Sequence, residues 1–460
     1  MASVRVAILR SRRTTSAMRH RLLALSISVA WSCVAASSTS VATVEPSPAS
    51  APNGLHDATS NPSVETGLVD DGSGGGDEME SDPAPEPAGP LLDLDDSWVE
   101  ELLSTDALLR ELAADADGLR MQIVVGEIIR QGENPEVRFH PFRLDADYVY
   151  PASAIKTLGA FAALRVFDEL EAEFPSLDLD TPLEFATLET DLADSTGQPI
   201  VSEGARTTLR RELERTLVVS SNEGFNRLWD LAGHEGINQR AWDAGLSTVR
   251  MRHRLSRQGI PEEAHRLSPA VRAEIDGEWV EILEQRSSAL LVPDNVHADV
   301  AIGEAHIAAI TGDRIEGPLD FSAKNATSLL DLLSLVAWVS EPALVPHIDL
   351  GLSEADRMVL LEFMSRVPDE PERFKPFSPG IVNGRTFETL RYVNKAGRAY
   401  GFHLDAAYVR DEATGAEFLL AASLHTNPNG VMNDSRYAYD EVSFPFLVAL
   451  GAAVSERLLR

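Results

Sequence analysis

Strand signals occur only near the two ends of the folded part of this chain, and that order limits how it can fold. MQIVVGEII (Met121–Ile129) reads as a buried strand, RQGENP as a turn, and VRFHPFRL (Val137–Leu144) alternates like a second strand. The next strand patterns are TFETLRYVNKAG (Thr386–Gly397), GFHLDAAYVRD (Gly401–Asp411) and EFLLAASLHT (Glu417–Thr426). Helical spacing fills the interval. Leu158, Phe161, Leu164 and Phe167 lie on or near one face, and TLRRELERTLVVSSNEGFNRLWDLAG (Thr208–Gly233), NATSLLDLLSLVAWV (Asn325–Val339) and SEADRMVLLEFMSRV (Ser353–Val367) follow. Ser353 with Asp356 has the form of a capped helix start. SWVEELLSTDALLREL precedes the first strand, and FPFLVALGAAVSERLL (Phe444–Leu459) closes the chain as a helix. Strands from both ends must therefore meet in one antiparallel five-stranded sheet, an α+β arrangement with an all-helical lobe inserted over about residues 155–380.

The net charge of -32 argues against nucleic acid and acidic membrane surfaces as partners, because phosphate rewards clustered Lys and Arg. Much of that charge lies between Ser37 and Glu100, where there is no Lys or Arg and Ser, Pro, Gly, Asp and Glu dominate. Such a run cannot bury enough apolar surface to offset its ordering entropy, and residues 37–96 are expected to be a disordered acidic tether. Before it, six arginines precede the apolar run LLALSISVAWSCVAA (Leu22–Ala36), the layout of an export signal over residues 1–36. The run is short for a membrane span, which needs about 20 residues. The single cysteine, Cys33, falls in this segment. It is either discarded with the signal or a lipid anchor, although Ala30-Trp31-Ser32 is a poor lipobox. The expected location is periplasmic or extracellular, with no transmembrane span once the signal is removed. The mature chain then has no disulfide.

Three short motifs carry the chemistry. Ser153-Ala154-Ile155-Lys156 stands behind Pro151 at the head of an apolar helix, so serine and lysine share one helical face. A serine in a first helical turn sits among free backbone N–H groups. A lysine held there, desolvated and near a second cation, can lose its proton and act as a base. Ser220-Ser221-Asn222 lies in an inter-helix loop, and Lys395-Ala396-Gly397 lies in a strand near the C-terminus.

In order, S-x-x-K, S-x-N and K-x-G resemble the motif set of penicillin-binding proteins and class A β-lactamases. Asn226, four residues after Asn222, extends the likeness. The resemblance covers about Trp98 to Arg460 and implies a three-layer α/β/α serine hydrolase domain over residues 97–460. It implies that Ser153 attacks a carbonyl and forms an acyl-enzyme, and that Lys156 helps take its proton. Ser220 passes a proton to the leaving nitrogen beside the charge of Lys395, and Asn222 holds the substrate's side-chain amide. The backbone N–H groups of Ser153 and Arg398 form the oxyanion hole, with Gly397 in the substrate-binding strand.

The chain departs from the family pattern in three places. Ser221 replaces the Asp of S-D-N. Ala396 replaces the hydroxyl residue of K-T-G, which removes a contact to a substrate carboxylate that Arg398 is a candidate to restore. Arg254-Leu255-Ser256-Arg257-Gln258-Gly259 matches the start of R-L-D-R-x-E-P, but Gly259 occupies the slot of the deacylating glutamate. Glu262 and Glu263 are the nearby candidates for that base; without one, turnover is slow. The extra length between Asn222 and Lys395 is expected to reshape the rim of the cleft. No H-E-x-x-H, C-x-x-C, G-x-S-x-G or Walker-type loop occurs, so no metal or nucleotide cofactor is implied. The expectation is a monomeric, exported serine hydrolase acting on a small molecule with a β-lactam-type amide or an ester. A D-Ala-D-Ala peptidase or esterase and a non-catalytic cell-envelope binding protein remain alternatives.

Overall fold

The computed structural model describes residues 91–92, 97–132, 134–193, 199–202, 204–257 and 259–460. The expected signal, Cys33 and nearly all of the expected tether lie outside the described residues. The exception is β1, Leu91–Leu92, which pairs in parallel with Arg138 and Phe139. The tether reading fails for these two residues: an apolar pair within PLLDL covers backbone groups that an edge strand would otherwise leave open.

Helices α1 (Ser97–Ser104) and α2 (Ala107–Ala113) follow, broken where the Asp106 side chain accepts from the N–H groups of Leu108 and Leu109. Strands β2 (Gln122–Ile129) and β3 (Glu136–Phe142) form the expected hairpin, with Gly126 opposite Phe139. Helix α3 (Lys156–Glu173) begins directly after a 3₁₀ turn, Ala152–Ile155. Then come β4 (Leu183–Phe185), β5 (Ala205–Thr207), α4 (Leu209–Leu217), α5 (Asn222–Ala232) and α6 (His234–Asp243). Strands β6 (Val271–Ile275) and β7 (Glu278–Leu283) precede α7 (Leu329–Ser340) and α8 (Glu354–Ser365). Ser353 caps α8 as expected, accepting from the N–H of Asp356 at 3.1 Å. The chain ends with β8 (Leu390–Ala399), β9 (Phe402–Asp411), β10 (Glu417–His425) and α9 (Phe444–Leu458).

The main sheet runs β1-β3-β2-β10-β9-β8, so strands from the two ends meet at the β2–β10 seam. Five antiparallel strands form it as expected, and the short parallel β1 makes a sixth. Alternation along the strands divides the core. Ile123 and Val125 join Phe446, Leu447 and Leu450 of α9 in one layer, whereas Val124 joins the layer around Phe161, Phe225 and Trp229. The result is a sheet with helices on both faces.

The inserted lobe is not all-helical. It contains a four-stranded sheet ordered β7-β6-β4-β5, and shorter strand pairs follow it. VRAEIDGEWVEIL alternates on both sides of Asp276-Gly277, whose φ values of 54° and 83° suit a two-residue hairpin turn. Among the described residues no helix is long and apolar enough to cross a membrane.

Candidate active site

Three elements bring the motif residues together. Ser153 lies in the turn before α3, and Ala152 ahead of it adopts a left-handed φ of 47°. That conformation is uncommon for a residue with a Cβ and usually marks a constrained site. Ser220 lies between α4 and α5, also left-handed at φ 57°. Ser221 then caps α5, accepting from Gly224 N–H at 3.0 Å, so it fills a local structural role. Lys395 projects from β8, an edge of the main sheet.

Gly397 brings β8 against the serine turn. A Cβ there would stand 2.4 Å from the Pro151 carbonyl oxygen and 3.1 Å from Ser153 N. Only glycine permits this approach of two backbones.

A continuous hydrogen-bonded chain results. Lys156 Nζ lies 3.0 Å from Ser153 Oγ and 3.1 Å from Ser220 Oγ, and it also donates to the Ser220 carbonyl. Lys395 Nζ donates to Ser220 Oγ at 2.9 Å and to the Ala396 carbonyl at 3.3 Å. Lys156 is completely buried and Lys395 nearly so. Burial, reinforced by the charge of Lys395, lowers the Lys156 ammonium to about 6. Burial lowers Lys395 to about 8, and the negative charge of Asp405 opposes the shift. Near neutral pH the first lysine is thus mostly a free amine and the second mostly a cation.

Of these groups Ser153 borders a cleft of about 700 Å³ that also touches Asn222, Arg398 and Glu262. Asn222 Nδ2 donates to Ser256 Oγ at 2.6 Å, which ties α5 to the opposite wall. Arg398 is half-exposed, lies 5.1 Å from the Tyr439 ring centre and comes within 3.9 Å of Asp440. Glu262 reaches the rim, but its carboxylate pairs with Arg266 at 2.5 Å. Glu263 is exposed and does not border the cleft.

The wall at residues 252–256 is held from behind. Asn226 exchanges two 3.0 Å hydrogen bonds with Leu255, and Asp230 accepts from Arg254. Asn325 accepts from the N–H groups of Arg252 and His253 and donates to the His253 carbonyl.

Sequence reasoning missed other parts of the cleft: Tyr150, Tyr400, Tyr437, His253, Ser256 and Lys324 all border it. Tyr150 flanks the S-x-x-K motif and Ser256 interrupts R-L-x-R, so both carried a positional signal. Lys324 and the C-terminal tyrosines lie in irregular segments that periodicity does not single out.

Residues 105–313 match the model of a family described as the beta-lactamase enzyme family. That span includes Ser153, Lys156, Ser220 and Asn222 and ends before Lys395. No curated protein matches the chain. Among solved structures, an acyl-enzyme complex of a PBP-A mutant with penicillin G is 16% identical, covering 78% of this chain and 96% of that one, with a TM-score of 0.43. A class A beta-lactamase from Bacteroides cellulosilyticus is 11% identical, with coverage of 77% and 98% and a TM-score of 0.42. The class A beta-lactamase from Mycobacterium abscessus is 16% identical, with coverage of 76% and 98% and a TM-score of 0.43. Over residues 105–313 the chain is thus similar to a beta-lactamase enzyme family, in the span that holds its S-x-x-K and S-x-N motifs.

Proposed function

We propose that this chain is an exported serine hydrolase that opens an amide of β-lactam type, or an ester, through an acyl-serine on Ser153. The observation that carries the reading is the unbroken contact from Ser153 Oγ through Lys156 Nζ to Ser220 Oγ and Lys395 Nζ. In this reading Lys156, as a free amine, takes the hydroxyl proton of Ser153 while Oγ adds to the substrate carbonyl. The backbone N–H groups of Ser153 and Arg398 receive the developing oxyanion; losing one such donor typically costs about 10²–10³ in rate. As the C–N or C–O bond breaks, the proton on Lys156 passes through Ser220 Oγ to the leaving atom, with Lys395 supplying positive charge alongside. Water then cleaves the ester and restores Ser153.

That second half is the weak one. Glu262 is engaged by Arg266, and Glu263 stands outside the cleft, so neither carboxylate is free over the ester. Acylation therefore outpaces deacylation, which favours a D-Ala-D-Ala peptidase or esterase as the second reading within the same chemistry. Mass spectrometry after incubation with penicillin G, nitrophenyl esters and a cell-wall pentapeptide tests the proposal. The expected result is an adduct on Ser153 that is lost in Ser153→Ala. No adduct, no hydrolysis and no labelling by a fluorophosphonate would return the chain to a binding role.

A further inference from the structure

Among the described residues, five cations border the cleft, Arg252, Arg254, Arg257, Lys324 and Arg398, against two carboxylates, Glu262 and Asp320. That balance is the reverse of the whole chain's, whose net charge is -32. A cleft lined in this way gathers anions. Four of the five cations are already engaged. Arg254 pairs with Asp230, Arg257 with Glu223 at 3.5 Å and Arg398 with Asp440 at 3.9 Å, and Arg252 donates to the Pro293 carbonyl at 2.6 Å. Both carboxylates are engaged as well: Glu262 with Arg266, and Asp320 with the N–H and hydroxyl of Ser322 at 2.8 Å and 2.9 Å. Lys324 is the cation left over.

The chain has four lysines. Lys156 and Lys395 serve the proposed acylation. Lys375 is buried and gives its three hydrogens to the carbonyls of Met364 and Tyr392 and to Asn394 Oδ1. Lys324 is half-buried, and its ammonium has no hydrogen-bond or ion-pair partner among the described residues. Its Nζ lies 5.7 Å from the centre of the Tyr400 ring. Burial lowers this ammonium from the ordinary lysine value. The backbone beneath it is fixed. Lys324 N–H donates to the Phe321 carbonyl at 2.9 Å, and the next residue is Asn325, which braces the cleft wall.

Strand β8 tells which end of the cleft this is. Lys395 stands beside Ser220 on the proposed path to the leaving atom, Gly397 passes against the Ser153 turn, and the strand ends at Ala399 with Tyr400 just beyond. Lys395 and Ala399 are roughly 13 Å apart at the rise of a strand, so Tyr400 and Lys324 lie past the nucleophile, on the acyl side. Aromatic rings connect the two places. Tyr150, three residues before Ser153, packs edge-on with Tyr400 at 5.3 Å between ring centres, and Phe321 meets Tyr150 at 5.6 Å and Tyr400 at 5.5 Å. Tyr150 and Tyr400 border the cleft, which gives an acyl chain an apolar bed that ends at a cation. We propose that Lys324 receives a carboxylate at the far end of the substrate's acyl part, with Tyr150 and Tyr400 bedding the methylenes between, so that the site prefers ω-carboxyacyl esters and amides to neutral ones. The proposal rests on the serine hydrolase reading and names the substrate class for that site.

The test compares acylation of Ser153 by 4-nitrophenyl hexanoate and by mono-4-nitrophenyl adipate, which have the same number of acyl carbons and differ in a terminal carboxylate. Each rate constant is divided by that ester's rate with hydroxide. The adipate ester should lead by about 10- to 100-fold, the value of one hydrogen bond to a charged group, and the lead should shrink as salt is added. In Lys324→Gln the ratio should fall to about one, whereas Lys324→Arg, which keeps the charge, should retain most of it. Arg398→Gln should leave the ratio near its wild-type value. A direct readout uses Ser153→Ala labelled with ¹³C-lysine. The Cε signal that is missing from its Lys324→Gln variant should move on addition of monomethyl adipate and stay in place with methyl hexanoate. Equal wild-type rates, a preference that survives in Lys324→Gln or disappears in Arg398→Gln, or a Lys324 signal indifferent to monomethyl adipate would overturn the proposal. Failure of both esters and of penicillin G to acylate Ser153 would instead sink the hydrolase reading, and the Lys324 signal would still decide whether the carboxylate binds.

Discussion

Replacing Lys156 with Met should stabilise the protein at neutral pH while abolishing acylation. Folding lowers the Lys156 ammonium from 10.5 to about 6, chiefly by desolvation. At pH 7 the unfolded chain carries a proton here that the native state must release. With about 1.4 kcal/mol per pH unit, that release costs about 5 kcal/mol. Against it stand three hydrogen bonds, to Ser153 Oγ, the Ser220 carbonyl and Ser220 Oγ, worth together about 3 kcal/mol. Methionine fills nearly the same volume and should gain about 2 kcal/mol at pH 7. The sign reverses with pH. Between 6 and 10.5 the unfolded state binds more protons than the native state, so wild-type stability rises by up to about 1.4 kcal/mol per unit through this group. The variant lacks that slope and should become the less stable protein above roughly pH 8.5. Urea unfolding of both proteins from pH 6.5 to 9.5 measures the difference. A gap that stays constant over this range would refute the claim that Lys156 is a depressed, largely uncharged amine.

The acylation rate should be bell-shaped, rising through about pH 6 as Lys156 loses its proton and falling above about pH 8 as Lys395 loses its own; stopped-flow acylation with a chromogenic ester follows both limbs. Ser220→Ala interrupts proton transfer and should slow acylation by about 10²–10⁴ with little change in melting temperature. Gly397→Ala drives a Cβ into the Pro151 carbonyl and should cost about 1–3 kcal/mol in urea unfolding, with a loss of acylation larger than the unfolded fraction explains. Asn325→Ala leaves the buried N–H groups of Arg252 and His253 without their acceptor and should destabilise by about 2–4 kcal/mol, read in the same experiment.

The main sheet was legible because its strands are long and buried and reach the core from both ends of the folded part, and helix caps such as Ser353 follow a local rule. The motif residues were legible because each lies at a fixed distance from a neighbour of the right type. The small sheet of the lobe was legible only in part: Val271–Leu283 alternates about an Asp-Gly turn, whereas strands as short as Leu183–Phe185 and Ala205–Thr207 offer too few residues for a period to emerge. Lys375 was hidden for a different reason. In RFKPFSPG it reads as a solvated basic residue, and its burial depends on β8 and on the end of α8, neither of which is its neighbour in sequence. Glu262 looked available because Arg266, four residues on, gave no sign that it would turn back and bind it.

Asn325 does more than brace one wall of the cleft. With it, Arg250 and Ala326 exchange backbone hydrogen bonds of 2.8 Å and 3.0 Å, so the chain leaves and re-enters the domain at almost one point. The segment between them carries the cleft wall and the rim residues Ile260, Leu319 and Asp320, and it is pinned again where β6 pairs with β4 and where Leu255 meets Asn226. Lengthening such a loop costs little, about 0.6 kcal/mol for each doubling. Insertions between these fixed points can therefore lengthen the rim while Ser153 and its partners keep their places, which makes the rim the cheapest part of the cleft to reshape.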